Sequence, residues 1–318
     1  MIKNIEIPVK LPIKYTHCSI ILDEPLTIID PGVKGQQTID IISDELKKHG
    51  RSIEQVERVL LTHGHIDHFG ACEDIRKISG ATVFVHKNDF EKSSKTEEKD
   101  GNFSTTYKNT LLEYGCPESG LTGIDNFLTY ILPLYDPLTQ AEHYSKDIID
   151  FKNINLSVIE TPGHTSGSVC FYEQESKTLI SGDTLIKEIS PNPVMEFLEN
   201  GERFHSVQSF RDSMEKLSKY EYSKIIAGHG DNITDFDKVY ENYKLEWAKI
   251  ENTFLKCIEK RKIMSAYEMM IEVYGELEEF EVFFGMSEMI GYFDFFETKG
   301  TIKYIEENGI IKGEYIGS

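Results

Sequence analysis

LLTHGHIDHFGA, residues 60–71, places His63, His65, Asp67 and His68 close together, directly after an apolar run. A polar turn leaving the core needs no such concentration of titratable groups. Side chains two apart in extended backbone point the same way. His63 and His65 therefore stand together as a strand ends, with Asp67 and His68 at the turn into a helix. Imidazoles clustered with a carboxylate suit a borderline cation such as zinc, iron or manganese. This stretch alone holds too few ligands to close two metal positions, so a metal site requires more of them elsewhere.

They occur in similar settings. His164 lies in ETPGHTSGS, Asp183 in LISGDTL and His229 in IIAGHGD, each beside a glycine and just past an apolar strand pattern. Four strand ends then meet at one edge of a sheet sandwich, where loop residues converge into a site. The residues divide physically. His63, His65 and His164 could hold one metal, Asp67, His68 and His229 a second, and the two oxygens of Asp183 could bridge them. Two neighbouring cations share a water, lower its pKa and clamp a carbonyl or phosphoryl oxygen as charge develops. The outer ring nitrogens of the histidines need hydrogen-bond acceptors, which the sequence does not identify.

H-G-H-I-D-H, followed in order by T-P-G-H-T, G-D-T and G-H-G, resembles the metallo-β-lactamase superfamily over residues 15–235. The resemblance implies an α/β fold, a four-layer αββα sandwich, and the same metal partition. Asp30 in TIIDPG matches an early strand-end aspartate that supports ligands rather than binding metal, and SPN at 190–192 matches the family's hydrolase branches.

The rest of the chain reads as β-α-β alternation in the first third, with a helix over QTIDIISDELKKHG and another over GACEDIRKIS, where Ile75 and Ile78 face inward. Residues 91–147 form a helical insertion, a lid or a surface elaboration, opening with a charged run whose KTEEKD at 95–100 reads as a solvated loop. Its aromatics Phe127, Tyr130 and Tyr135 fall at helical spacing and read as core, with a pocket wall as the alternative. Alternation then resumes. After Gly230 a long helix carries Phe236, Val239, Tyr243, Trp247, Ile250, Phe254 and Cys257 along one stripe. Short helices and a hairpin at Asn308-Gly309 follow. The division expected is a catalytic domain over 1–235 and a long helix with a small winged-helix-like module over 236–318.

Net charge and cysteines narrow the partners. The 318 residues hold 54 acidic and 34 basic side chains, a net of −20. Residues 264–318 hold 12 acidic and 3 basic ones. Nucleic-acid affinity comes largely from Lys and Arg neutralising phosphates, so nucleic acid is not an expected partner, although winged helices often bind it. The module instead presents Phe293, Phe295 and Phe296, beside Phe280, Phe283 and Phe284, as an exposed face for a protein contact, such as a homodimer, or as a wall of the cleft. Five scattered cysteines without a C-x-x-C pair fit neither a disulfide framework nor a cysteine zinc site. They fit a reducing cytosol. The N-terminus shows no apolar signal region, and no run is long enough to span a membrane. The expected location is cytoplasmic.

The resemblance to the glyoxalase-II-like branch implies a dinuclear metal-dependent hydrolase of a small carbonyl ester, a thioester or a lactone, in which a metal-bridged hydroxide attacks the carbonyl. Asp67 is both a ligand and a partner for the nucleophile's proton. Two divalent ions are implied, Zn2+ first, with Fe or Mn also fitting the donor set. The substrate-binding residues are unassigned. The alternative is a phosphodiesterase or endoribonuclease using the same dinuclear site, which the charge opposes. A diiron oxygen or nitric-oxide reductase would carry glutamate in place of His65. His86 reads as a structural strand-end residue, and no direct catalytic role is expected of His17, His49 or His205, while His143 in the insertion could reach a substrate.

Overall fold

The computed structural model describes residues 1–10, 13–94, 102–278 and 281–317. The run 95–100, the side chain of Phe127 and Phe280 lie outside the described residues. Two five-stranded sheets face each other. The first contains β1 (Ile2–Pro8), β2 (Tyr15–Ile21), β3 (Thr27–Ile29), β4 (Arg58–Leu60) and β5 (Thr82–Phe84), in that order. The second runs β10 (Lys224–Ala227), β9 (Thr178–Gly182), β8 (Val169–Glu173), β7 (Asn155–Glu160) and β6 (Ile148–Asp150). β3, β4 and β5 are parallel. β7 and β9 are each antiparallel to β8, and β10 is parallel to β9, so β7, β9 and β10 also share one direction.

Alternating faces of these strands build the layers. Ile21, Ile29 and Leu60 meet Leu156, Phe171, Ile180 and Ile226 between the sheets. Outside the first sheet, α1 (Gln36–Lys48) lays down Ile39, Ile42 and Leu46, and α3 (Cys72–Ser79) adds Cys72 and Ile75. Ile78 does not join them: it is 40% exposed, in the last turn of a helix that ends at Ser79 and buries Cys72, Glu73 and Ile75. Outside the second sheet, Phe210, Met214 and Leu217 of α7 (Ser206–Leu217) pack with the start of α8 (Phe236–Arg261). The result is an α/β/β/α sandwich.

Three further helices interrupt it: α4 (Lys87–Ser94), α5 (Asn102–Glu113) and α6 (Thr122–Ile131). They do not stand alone. Tyr107, Leu111, Tyr114 and Ile124 share one core with the C-terminal region, made of α9 (Ala266–Tyr274), α10 (Glu281–Thr298) and a sheet of β11 (Ile263–Ser265), β13 (Ile310–Tyr315) and β12 (Ile302–Glu307) in the order β11-β13-β12. The 26-residue α8 spans about 39 Å and joins the two halves. Its Phe236, Val239, Tyr243 and Trp247 pack on the sandwich, while Phe254 and Ile258 enter the C-terminal core. An Asp235 side chain accepts the Lys238 amide at its start, and Lys260 and Arg261 sit at its negative end.

The C-terminal aromatics are placed differently from the sequence expectation. Phe293, Phe295 and Phe296 are buried, not an exposed face. The α10 helix is apolar nearly all round and is enclosed: Phe254 lies 4.4 Å from Phe296 and 5.0 Å from Phe293, ring centre to ring centre. Phe283 is partly buried and packs edge-on against Tyr107 of α5. Among the described residues, no helix is long and apolar enough to cross a membrane.

Truncating Phe254, which is fully buried in this shared core, should cost about 3–5 kcal/mol of unfolding free energy. Urea denaturation of Phe254→Ala reads this directly, and a loss under about 1 kcal/mol would contradict a closed core.

Candidate metal centre

The topology brings the C-terminal ends of like-directed strands to one edge. Asp30 follows β3, the histidine cluster follows β4, His164 follows β7, Asp183 follows β9 and His229 follows β10. After β4 the chain is a loop, not a continued strand, up to the four-residue helix α2 (Ile66–Phe69) that carries Asp67 and His68. The His63 and His65 rings nevertheless stand 4.7 Å apart.

All seven candidate ligands meet there. His63, His65 and His164 form one group with donor atoms within 4.8 Å, Asp67, His68 and His229 form another, and Asp183 joins His63 and His68 in a third. Asp183 spans the halves: Oδ1 lies 3.3 Å from His68 Nε2, while Oδ2 lies 3.2 Å from His229 Nε2 and 3.6 Å from His164 Nε2. Asp67 Oδ2 lies 3.2 Å from His229 Nε2 and also faces the Thr16 hydroxyl. A Cβ on Gly228, in the AGHG turn, would fall 2.1 Å from Asp183 Oδ1, so only glycine leaves room for that carboxylate.

The outer nitrogens have partners, of which the sequence pointed only to Asp30. His164 Nδ1 donates to the Asn192 carbonyl at 2.9 Å, His229 Nδ1 to the Tyr15 carbonyl at 2.8 Å, and His68 Nδ1 to Asp30 Oδ2 at 3.0 Å. Thr62 gives its own proton to Asp30, so its hydroxyl can only accept from His63 Nδ1. Each of these four rings is thereby turned with Nε2 inward. His65 instead points Nδ1 at His164 Nε2, 2.9 Å away.

These inward atoms fit a cation and little else. His63 Nε2 and Asp183 Oδ1 are buried without a hydrogen-bond partner, a costly condition in an interior. His68 Nε2 and His229 Nε2 face each other at 3.4 Å, two ring nitrogens with a single need. Burial, then the neighbouring histidines, holds His63 well below the ordinary range. Burial and His164 push His65 down to about 3. Burial opposes charge on His68 and His229 as well, but Asp183 with Asp67 outweighs it and raises them to about 10 and about 11. Burial likewise opposes ionisation of Asp183, and the His229 and His68 charges outweigh it, keeping the carboxylate well below its usual range. Protons on His68 and His229 thus balance the carboxylates, a role the charge of a cation would fill in their place.

The other histidines stay outside the cluster. His17 Nδ1 binds the Ala227 carbonyl, His49 pairs with Glu45, His86 faces Glu160 at 3.6 Å, His143 Nδ1 faces the Val85 carbonyl and His205 precedes α7. Tyr130 donates to the Lys10 carbonyl, and Tyr135 packs edge-on against Phe69. Nothing in the sequence reading pointed to Asp89 and Glu196, which accept from the loops of His63, His65 and His164, or to Lys92, which pairs with both. The i, i+3 spacing of Asp89 and Lys92 just past β5 was the available signal.

Metal loading at pH 7.5, below both raised values, should release about two protons per chain from His68 and His229, and a further one where bound water ionises. Calorimetric titration in buffers of different ionisation enthalpy measures this, and heats independent of buffer would contradict it.

Residues 12–229 match the profile of the metallo-beta-lactamase superfamily. The probable metallo-hydrolase YqjP of Bacillus subtilis is 23% identical over 319 positions, covering 96% of this chain and 95% of that protein. The hydroxyacylglutathione hydrolase GloC of Haemophilus influenzae is 27% identical over 186 positions, 58% of this chain and 73% of that one. The crystal structure of the metallo-beta-lactamase family protein TTHA1429 from Thermus thermophilus superposes with a TM-score of 0.79 at 19% identity, covering 98% of both chains. A beta-lactamase domain protein from Burkholderia ambifaria gives 0.81 at 16% identity, over 99% of this chain and 92% of that one. The shared fold therefore extends through the C-terminal region. With the profile spanning the strand-end motifs from Asp30 to His229, the chain belongs to the metallo-beta-lactamase superfamily.

Proposed function

We propose that the protein is a dinuclear metallohydrolase of a small carbonyl ester, a thioester or a lactone. The observation that carries this reading is the convergence of seven His and Asp side chains whose inward donor atoms include buried ones with no partner. His63, His65 and His164 would hold one ion, Asp67, His68 and His229 the other, and Asp183 would reach both. Zinc suits these imidazole and carboxylate donors, and iron or manganese fits the same set. Support for the substrate class comes from the likeness to GloC, whose name denotes hydrolysis of an acyl group from glutathione.

Bound metal supplies an activated water at neutral pH and polarises the substrate carbonyl. The chain's own residues do the rest. The outer-nitrogen bonds to Thr62, Asp30, Asn192 and Tyr15 lock the ring orientations. Asp67 faces the His229 ring and the Thr16 hydroxyl, and its carboxylate is the ligand we assign to receive the proton of the attacking water. A phosphodiester substrate needs basic side chains to hold it, which a net charge of −20 opposes.

Metal analysis of the purified protein should give close to two ions per chain. Asp183→Ala should lower turnover by at least about two orders of magnitude, since even outer-sphere partners cost 10–100-fold, and should reduce metal retention without unfolding the sandwich. An active, fully metallated variant would remove Asp183 from the centre. A hydrolase screen with the metal-loaded protein over acyl-thioesters, lactones, bis-(p-nitrophenyl) phosphate and RNA tests the substrate class. Turnover of a thioester or lactone is expected, and activity confined to the last two would overturn it.

A further inference from the structure

Beside the candidate centre lies an ion triad of two buried carboxylates and a partly buried lysine. Asp89 and Glu196 are 0% and 3% exposed, and Lys92, one turn along α4 from Asp89, pairs with both. Their remaining acceptor sites are filled by the loops that carry His63, His65 and His164. Gly64, between the first two histidines, donates its N–H to Asp89 Oδ2 at 2.7 Å, and the Thr165 hydroxyl donates to the same oxygen at 2.7 Å. Gly167 N–H donates to Asp89 Oδ1 at 3.0 Å, and Ser166 N–H to Glu196 Oε2 at 2.8 Å. The packing leaves no slack: a Cβ on Gly167 would lie 2.5 Å from Asp89 Oδ1, and one on Gly64 3.0 Å from Asp89 Cβ.

This arrangement needs all three charges. Two buried carboxylates repel each other unless a cation lies between them, and removing one member of a buried ion set leaves an uncompensated charge. Burial opposes ionisation of Asp89, and Lys92 together with the donors outweighs it, so the carboxyl stays below its usual range and accepts at both oxygens. His68 and His229 are anchored elsewhere, on Asp30 and on the Tyr15 carbonyl. The triad therefore bonds directly to the loops of His63, His65 and His164; the first of these runs on into α2 with Asp67 and His68, but the ring anchors of His68 and His229, Asp30 and the Tyr15 carbonyl, are separate from the triad.

We propose that Asp89, Lys92 and Glu196 form a positioning unit for the metal position made by His63, His65 and His164, and set its affinity separately from that of the position made by Asp67, His68 and His229. This rests on the dinuclear reading above. The test is equilibrium dialysis of the full chain against limiting Zn2+, with metal counted per chain and folding checked by circular dichroism. Wild type should hold two ions. Asp89→Asn and Lys92→Met should hold one tightly, the other weakened about 10–100-fold, whereas Lys92→Arg, which can still pair with both carboxylates, should keep two. Asp89→Asn combined with His229→Ala should retain none, but combined with His164→Ala it should retain one. Two ions bound with wild-type affinity in Asp89→Asn, or both lost from a folded variant, would overturn the proposal. Should Asp89→Asn fail to fold, Glu196→Gln, which keeps an oxygen for Ser166 N–H, should weaken the same single position, and unchanged binding there would overturn it equally. A wild type that holds no metal would instead overturn the dinuclear reading itself, and the positioning role with it.

Discussion

Asp67 and Asp183 are taken out of water within 3.2 Å of the same histidine nitrogen, and the rest of the site makes that concentration of polarity tolerable. Two carboxylates in a low-dielectric interior repel each other strongly and lose their hydration. Protons on His68 and His229 can offset this, but only by pointing two ring nitrogens at each other across 3.4 Å. A divalent cation resolves the conflict, since it satisfies the lone pairs of both rings and both acids at once. The demand for positive charge is thus built into the buried donor set, whichever metal meets it.

Holding such a set requires fixed rings, and the fixing atoms come from widely separated parts of the chain. Asp30 serves both halves, binding Thr62 behind His63 and facing His68 Nδ1. Asn192, the acceptor for His164, lies on the connection between β9 and α7, and that connection is tied down from the C-terminal region. Asn192 donates to the Phe284 carbonyl, and Arg203 makes a two-pronged pair with Asp294 of α10 at 3.0 and 2.6 Å. Bidentate pairs of this kind fix orientation as well as distance. The orientation of a candidate ligand on the sandwich is in this way coupled to a helix more than ninety residues further along the chain.

What could be read from sequence follows the range of the interactions involved. Strand-end glycines beside His164, Asp183 and His229 are local patterns, and so are the helical stripes of α1, α7 and α8. These elements stand where the periodicity puts them. Asp30 was legible as a supporting residue, but the other ring anchors were not, because a backbone carbonyl such as that of Tyr15 or Asn192 leaves no trace in residue identity. The α10 aromatics misled for a related reason. A helix apolar nearly all round has little polar face to show which side meets solvent, and here the insertion helices, which precede it by about 150 residues or more, help to cover it. Ile78 was misplaced although the helix ends at Ser79, where its pattern does: Cys72 and Ile75 reach the core and Ile78, in the last turn, stays exposed.

Charge bears on metal and substrate in opposite ways. A chain with a net of −20 raises the local concentration of cations and lowers that of polyanions. Both effects reach only about 8–10 Å through physiological salt, so they act at the mouth of the site rather than deep within it. Capture of divalent ions by Asp67 and Asp183 gains from such a field. A phosphodiester backbone approaching the same mouth is repelled by it before any contact forms. A small ester with little charge feels neither effect strongly, and its selection then depends on the shape of the cleft. The same acidity that favours loading of the centre therefore separates the carbonyl-ester reading from the phosphodiester one.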